Sequence, residues 1–135
     1  MEGVENTEKL MKLALQFDLA GNEVFDQFTV YEIHKIWNGI GPEWLPSILR
    51  NMVSKLHPSL EPVALIHDLQ WSLSCKSVEH FTKTNDEFKE NGKRIAFGLY
   101  GWYNPRRYLV WNQGYRFGRL CHAFGWNAYL AGKPK

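Results

Sequence analysis

The segment EPVALIHDLQW at residues 61–71 constrains the fold more than any other stretch. Apolar residues surround an adjacent imidazole and carboxylate, His67 and Asp68, and Trp71 follows one helical turn later. A helix that is apolar on all sides is normally buried. Buried His and Asp side chains need partners, because an unpaired charge in the interior is strongly destabilising. The segment therefore predicts a central helix whose two polar residues either satisfy each other or form a site.

The length and composition of the chain are typical of one folded domain. Its 135 residues can bury one sizeable core, and 15% of them are aromatic. No run approaches the about 20 apolar residues of a transmembrane helix. The N-terminal sequence MEGVENTEKL lacks the apolar core of a secretory signal. Two cysteines cannot form a disulfide-dense scaffold, so we expect a reducing compartment.

Apolar residues recur at helical intervals along most of the chain, which predicts an all-α fold. The first helix is expected over residues 8–19, before Gly21. Thr29 and Glu32 have the spacing of a capping box that begins a second helix. Further helices are predicted to begin at Ser47, Ser59, Ser77 and Pro105, and the one from Ser77 to end at Asn91 and Gly92. Three glycines interrupt the last helix, which indicates close packing against a neighbour.

The helix that begins at Ser77 is predicted to supply the partner of His67. Its inward face is expected to comprise Phe81, Thr84, Asn85 and Phe88, which are spaced three and four residues apart. Asp86 lies about 100° further round the helix and should be solvated. Asn85 is therefore a polar residue on an apolar face, and it is the better candidate to bond a buried imidazole.

Residues 38–46, NGIGPEWLP, contain two glycines and two prolines and cannot continue a helix. Such a loop can turn several backbone carbonyls toward one point, or it can be a plain connector. With a neighbouring carboxylate, converging carbonyls would form an all-oxygen site that suits Ca²⁺ better than Zn²⁺. An imidazole beside it could act as a general base. A purely structural pair of His67 and Asp68 is the alternative.

Charge is distributed unevenly along the chain. All 14 acidic residues lie within residues 1–92, whereas residues 93–135 contain eight Lys or Arg and no acid. The C-terminal third could bind an anionic membrane surface or a nucleic acid, or it could neutralise the acidic part of the same fold. Its candidate anion-binding residues, interleaved with aromatic side chains, are Arg106, Arg107, Arg116 and Arg119.

The motifs NGIGPEWLP, IHDLQW and TNDEF, in this order, resemble the small phage-encoded relatives of secreted phospholipase A2. The resemblance covers residues 31–91 and implies two antiparallel central helices, with a helical extension at 1–30 and a basic aromatic part at 92–135. It also implies a virion or the cytoplasm of a bacterial host as the location. The implied activity is calcium-dependent hydrolysis of glycerophospholipid esters.

The resemblance assigns a role to each matching residue. His67 would be the general base, and Asn85 stands where the family has the carboxylate that orients the imidazole. The implied calcium ligands are the Asp68 carboxylate and the backbone carbonyls of Trp37, Gly39 and Gly41.

Three positions depart from the pattern of the family. Trp71 replaces a tyrosine, Ile40 stands where the loop has a cysteine, and Asn85 can accept a hydrogen bond but cannot stabilise an imidazolium by charge. These departures weigh against efficient catalysis more than against the fold, and they leave an alternative function open. On that reading the chain is a non-catalytic viral or virion-associated protein that keeps the scaffold for membrane or partner binding.

Overall fold

The computed structural model describes residues 3–39 and 47–131, and all regular structure in these ranges is helical. The α-helices of the described ranges are α1 (Val4–Gln16), α2 (Val30–Gly39), α3 (Ser47–Lys55), α4 (Glu61–Ser72), α5 (Val78–Leu99), α6 (Pro105–Phe124) and α7 (Trp126–Ala131). Short 3-10 helices at Asn22–Gln27 and Pro58–Leu60 lie between them. The predicted all-α class, in one small domain, is confirmed.

Helix α4 lies at the centre of the fold, as its apolar sequence predicts. Most of its side chains are buried because α1, α2 and α5 all pack against it, and Asp68 lies on its one partly exposed face. Helices α4 and α5 run antiparallel, since His67 contacts Phe88 while Trp71 contacts Phe81 one turn further along α4. The core therefore surrounds the segment that carries His67 and Asp68.

Local capping signals place most helix starts correctly. The backbone N–H of Thr29 donates to the Glu32 carboxylate at 2.8 Å, and the Glu32 N–H donates to the Thr29 hydroxyl at 3.2 Å. The Ser77 hydroxyl caps α5 by accepting from the His80 N–H. The predicted cap at Ser59 is wrong, because its hydroxyl lies 2.7 Å from the hydroxyl of Tyr100.

Helix α5 does not end at Asn91 and Gly92 but continues to Leu99, so that prediction is wrong. The Asn91 side chain accepts from the Ala20 N–H at 2.6 Å and donates to the Ala20 carbonyl at 2.8 Å. A Cβ on Gly92 would lie 3.1 Å from the Cα of Gly114, so the glycine allows α5 and α6 to approach. Both residues serve tertiary contacts, and the division expected at residues 91 and 92 falls inside one continuous helix.

Helix α6 packs on α5 through a face of small and apolar residues. This buried face comprises Val110, Gly114, Phe117, Gly118 and Cys121. Tyr108, Trp111 and Tyr115, which also follow helical spacing, lie on the outer face instead. The glycines of α6 thus provide the close packing that the sequence indicates, and its aromatic residues are left on the surface.

Candidate functional site

The imidazole of His67 and the side chain of Asn85 form a buried pair between α4 and α5. The His67 Nε2 lies 2.9 Å from Asn85 Oδ1, and both residues are buried. Because an amide oxygen can only accept, Nε2 carries the proton and Nδ1 is the unprotonated ring nitrogen. Asp86 is exposed and pairs with Lys89 at 3.2 Å. The prediction that Asn85, and not Asp86, is the partner of His67 is confirmed.

Aromatic rings surround the imidazole of His67. Its centroid lies 4.5 Å from the nearest ring of Trp71, 5.2 Å from Phe88 and 6.5 Å from Phe117. Burial among these rings disfavours the charged form and lowers the pKa of His67 from 6.5 to about 4, although the Asn85 hydrogen bond acts in the opposite direction. At neutral pH the imidazole is therefore neutral, and it is a weak base.

Trp71 occupies the position where the resemblance expects a tyrosine, and its indole bonds elsewhere. Its Nε1 donates to the Thr84 hydroxyl at 3.0 Å, which in turn donates to the Phe81 carbonyl at 2.9 Å. The Nδ2 of Asn85 is buried and has no hydrogen-bond partner in the described chain. A tyrosine hydroxyl at position 71 could act as an acceptor for such a group, which an indole cannot do.

The proposed calcium ligands are only partly described. Asp68 is half-buried on α4, and its charge raises the pKa of Cys121, an effect second to that of burial. Trp37 and Gly39 lie in the last turn of α2, whereas a loop was expected from residue 38, and Gly41 lies outside the described residues. Carbonyls of a last helical turn lack intrahelical partners, and together with a carboxylate they are donors that suit Ca²⁺.

Side chains that bind metals are not clustered in the described parts of the chain. Within residues 3–39 and 47–131, no group of three or more His, Cys, Asp or Glu side chains could hold a metal ion. The ligand set that the resemblance implies has one carboxylate, from Asp68, and otherwise backbone carbonyls.

Cations and aromatic rings contact each other on the outer side of the α5–α6 pair. We call this surface the cation–aromatic seam, and it comprises Lys89, Lys93 and Phe97 of α5 with Arg107, Trp111, Tyr115 and Arg119 of α6. Each member is four residues from the next on its own helix, so both rows face the same side. Two predicted residues, Arg107 and Arg119, belong to the seam, while Arg106 and Arg116 are exposed beside it.

Distances within the seam show direct cation–ring contacts. The guanidinium carbon of Arg107 lies 3.7 Å from the centroid of the Phe97 ring. The ammonium of Lys93 lies 5.6 Å from Phe97 and 5.7 Å from Trp111, whose two rings meet edge to face at 5.1 Å. Tyr115 lies within 6 Å of two further cations of the seam. Sequence reasoning missed the residues that α5 contributes.

The arginines of α6 have no carboxylate partner in the described chain. The ion pairs found there join Lys89 to Asp86 and Arg94 to Glu90, both within α5. The Nε of Arg107 is buried and has no hydrogen-bond partner among the described residues. Among the described residues, the acidic side chains therefore do not neutralise the α6 arginines by direct contact.

A second polar cluster lies on the opposite side of α5. The Tyr129 hydroxyl is 2.6 Å from His80 Nδ1 and 3.8 Å from Cys75 Sγ. Hydrogen bonds from Ser77 and then Tyr129 lower the pKa of the exposed Cys75 thiol. The sequence does not predict this contact, because Tyr129 is 49 residues from His80 and 54 from Cys75 along the chain.

No helix in the described ranges is both long and apolar enough to cross a bilayer. Comparisons of the chain with models of protein families, with curated proteins and with solved structures find no match.

Proposed function

We propose that this chain is a small helical protein that binds an anionic membrane surface through the cation–aromatic seam. The observation that carries the proposal is the seam itself, in which cations lie against rings on an exposed face. Its arginines have no acidic partner in the described chain. Lysine and arginine near an anionic leaflet contribute about 1 kcal/mol each, and aromatic side chains favour the interface between headgroups and acyl chains.

The surroundings of His67 support a binding function better than a catalytic one. A general base works best when its pKa is near the working pH. The pKa of His67 lies at about 4 because the ring is desolvated, and Asn85 contributes no charge to raise it. In this proposal the pair is a structural polar contact of the core, kept with the scaffold.

Vesicle binding tests the proposal. The triple variant Lys93→Gln/Arg107→Gln/Arg119→Gln should bind phosphatidylglycerol-containing vesicles about a hundredfold more weakly than the wild type, since three charges amount to about 3 kcal/mol. Binding of the wild type should also weaken as salt is raised, because the contacts are screened.

The matched control removes three exposed lysines elsewhere and so changes the net charge equally. The variant Lys9→Gln/Lys12→Gln/Lys35→Gln should bind vesicles almost as well as the wild type. Equal losses in both triple variants would show that only net charge matters, and would contradict a role for the seam. If the wild type binds single-stranded DNA but no vesicles, the partner is a nucleic acid and the membrane proposal is wrong.

A second candidate function, calcium-dependent ester hydrolysis, is favoured by one observation. The His67–Asn85 bond occurs where the resemblance to phospholipase A2 relatives expects an imidazole and its orienting group. Asp68 and the carbonyls at the end of α2 would hold the cation, which when bound would polarise the ester carbonyl. In this case His67 would take a proton from water at Nδ1.

A calcium titration of thermal stability tests the second candidate without relying on turnover. Calcium should raise the melting temperature of the wild type by mass action and should not do so in Asp68→Ala. Asp86→Ala, which removes an exposed carboxylate of the next helix, is the control and should respond like the wild type. Absence of a calcium shift in the wild type, with no release of fatty acid from vesicles, would rule out this candidate.

A further inference from the structure

We infer that the turn between α5 and α6 inserts into the membrane as an apolar tip formed by Leu99, Trp102 and Tyr103. This inference rests on the proposed function, because it gives the depth and orientation of the same attachment. Trp102 is 75% exposed, Tyr103 is 76% exposed, and Leu99 is 42% exposed. Large apolar side chains grouped at such exposure mark a binding site more often than an ordinary surface.

Hydrogen bonds hold the tip in one conformation. The Tyr108 hydroxyl donates to the Trp102 carbonyl at 2.8 Å, and the Asn104 N–H donates to the Gly101 carbonyl at 2.9 Å. The Asn104 side chain then caps α6 by accepting from the Arg106 N–H at 3.0 Å. The exposure of the two rings is therefore a property of an ordered turn, and inserting it would cost little conformational entropy.

Two arginines next to the tip would lie close to the lipid phosphates when the tip is inserted. Arg106 and Arg107 stand in the first turn of α6, directly after the tip in the sequence. Arg107 stacks on Phe97, and its buried Nε has no hydrogen-bond partner within the described residues. With the tip below the headgroups, these guanidinium groups would lie at phosphate level, where long basic side chains reach in membrane proteins.

The chemistry of the tip distinguishes a bilayer from a nucleic acid. Trp and Tyr are enriched where a membrane meets water, because one end of each ring is apolar and the other is polar. A surface that stacks nucleobases needs only aromatic rings. The end of the α5–α6 pair that carries the tip also exposes Leu99 and, on α6, Leu109. Transfer of a leucine side chain from water into hydrocarbon is favourable, whereas leucine cannot stack on a nucleobase. The occupant that fits both the leucines and the arginines is an anionic lipid surface.

The test compares Trp102→Ala/Tyr103→Ala with the wild type and with a control that removes exposed apolar residues elsewhere, Leu15→Ala/Tyr31→Ala. Binding is measured by co-sedimentation with vesicles of phosphatidylcholine with and without phosphatidylglycerol, and insertion by the pressure rise of a lipid monolayer. We expect the tip variant to bind anionic vesicles at least about tenfold more weakly. We also expect it to lose the monolayer pressure rise and the part of binding that resists high salt. The control should match the wild type.

The possible outcomes separate this inference from the proposed function. If the wild type binds anionic vesicles and the tip variant binds equally well with an equal pressure rise, the inserting tip is wrong while seam-mediated binding stands. If the wild type binds no vesicles of either composition, both are wrong. Because the mutated side chains are exposed, the variants should keep the wild-type melting temperature, and a loss confined to vesicle binding then supports the inference.

Discussion

Acid should destabilise this protein through His67, and the effect can be worked out from the structure. In the unfolded chain the imidazole takes up a proton as the pH falls through 6.5, whereas in the folded protein it does so only near pH 4. Between these values the unfolded state binds more protons, so the free energy of unfolding falls as the pH falls. The contribution of His67 to the free energy of unfolding is therefore greatest above pH 6.5, and it is lost as the pH falls to about 4.

The magnitude follows from the size of the pKa shift. A drop from 6.5 to about 4 corresponds to about 3 kcal/mol at about 1.4 kcal/mol per unit. For a chain of 135 residues this is a change of about 10 °C in melting temperature. The imidazole is fully buried, so solvent screens little of the effect.

Urea unfolding of the wild type and of His67→Gln at about pH 7 and about pH 4 isolates this contribution. The wild type should lose about 3 kcal/mol more than the variant over this interval. Titration of the other histidines and of the carboxylates occurs in both proteins and cancels in the difference. Burial also lowers the pKa of His80, and that residue is unchanged in the variant.

Proton NMR of the imidazole gives an independent measurement, and Asn85→Asp gives the converse variant. A carboxylate 2.9 Å from Nε2 would attract the imidazolium, by about 6 kcal/mol at an effective dielectric constant of about 20. The His67 pKa should therefore rise well above its value in the wild type. A wild-type His67 that titrates near 6.5, or equal pH dependence in wild type and His67→Gln, would refute the argument that the aromatic surroundings keep the ring neutral.

Two further predictions concern packing and thiol reactivity. Gly114→Ala should destabilise the fold by about 1–3 kcal/mol, because the added Cβ would lie 3.1 Å from the Cα of Gly92. This cost should exceed the gain from the higher helix propensity of alanine. Thermal unfolding measures the change, and a stabilised variant would contradict the prediction. Cys75 is exposed and should react rapidly with a thiol reagent in the folded protein. Cys121 is buried, and burial raises its pKa, so it should react only when the protein unfolds. Equal reaction rates of the two thiols in the native protein would contradict this prediction.

The parts of this structure that the sequence predicts are those that depend on local spacing. Three- and four-residue intervals are enough to place Asn85 inward and Asp86 outward, because helical geometry fixes the angle between them. The capping box at Thr29 is equally local. The end of α5 was not predictable in this way, since Asn91 and Gly92 read as a helix stop. The partner that buries Asn91 is Ala20, which is 71 residues away in the sequence.

The cation–aromatic seam was missed for the same reason as the length of α5. Lys93 and Phe97 lie beyond the expected helix end. Their four-residue spacing from Lys89 therefore did not predict that they share a helix face with it. The contact between Gly92 and Gly114 brings α6 close enough to α5 for cations and rings to meet across the pair. The glycines that appeared to divide the chain into a core and a basic end instead join them. The surface proposed to bind the membrane is therefore built on the same helix that holds Asn85 against His67.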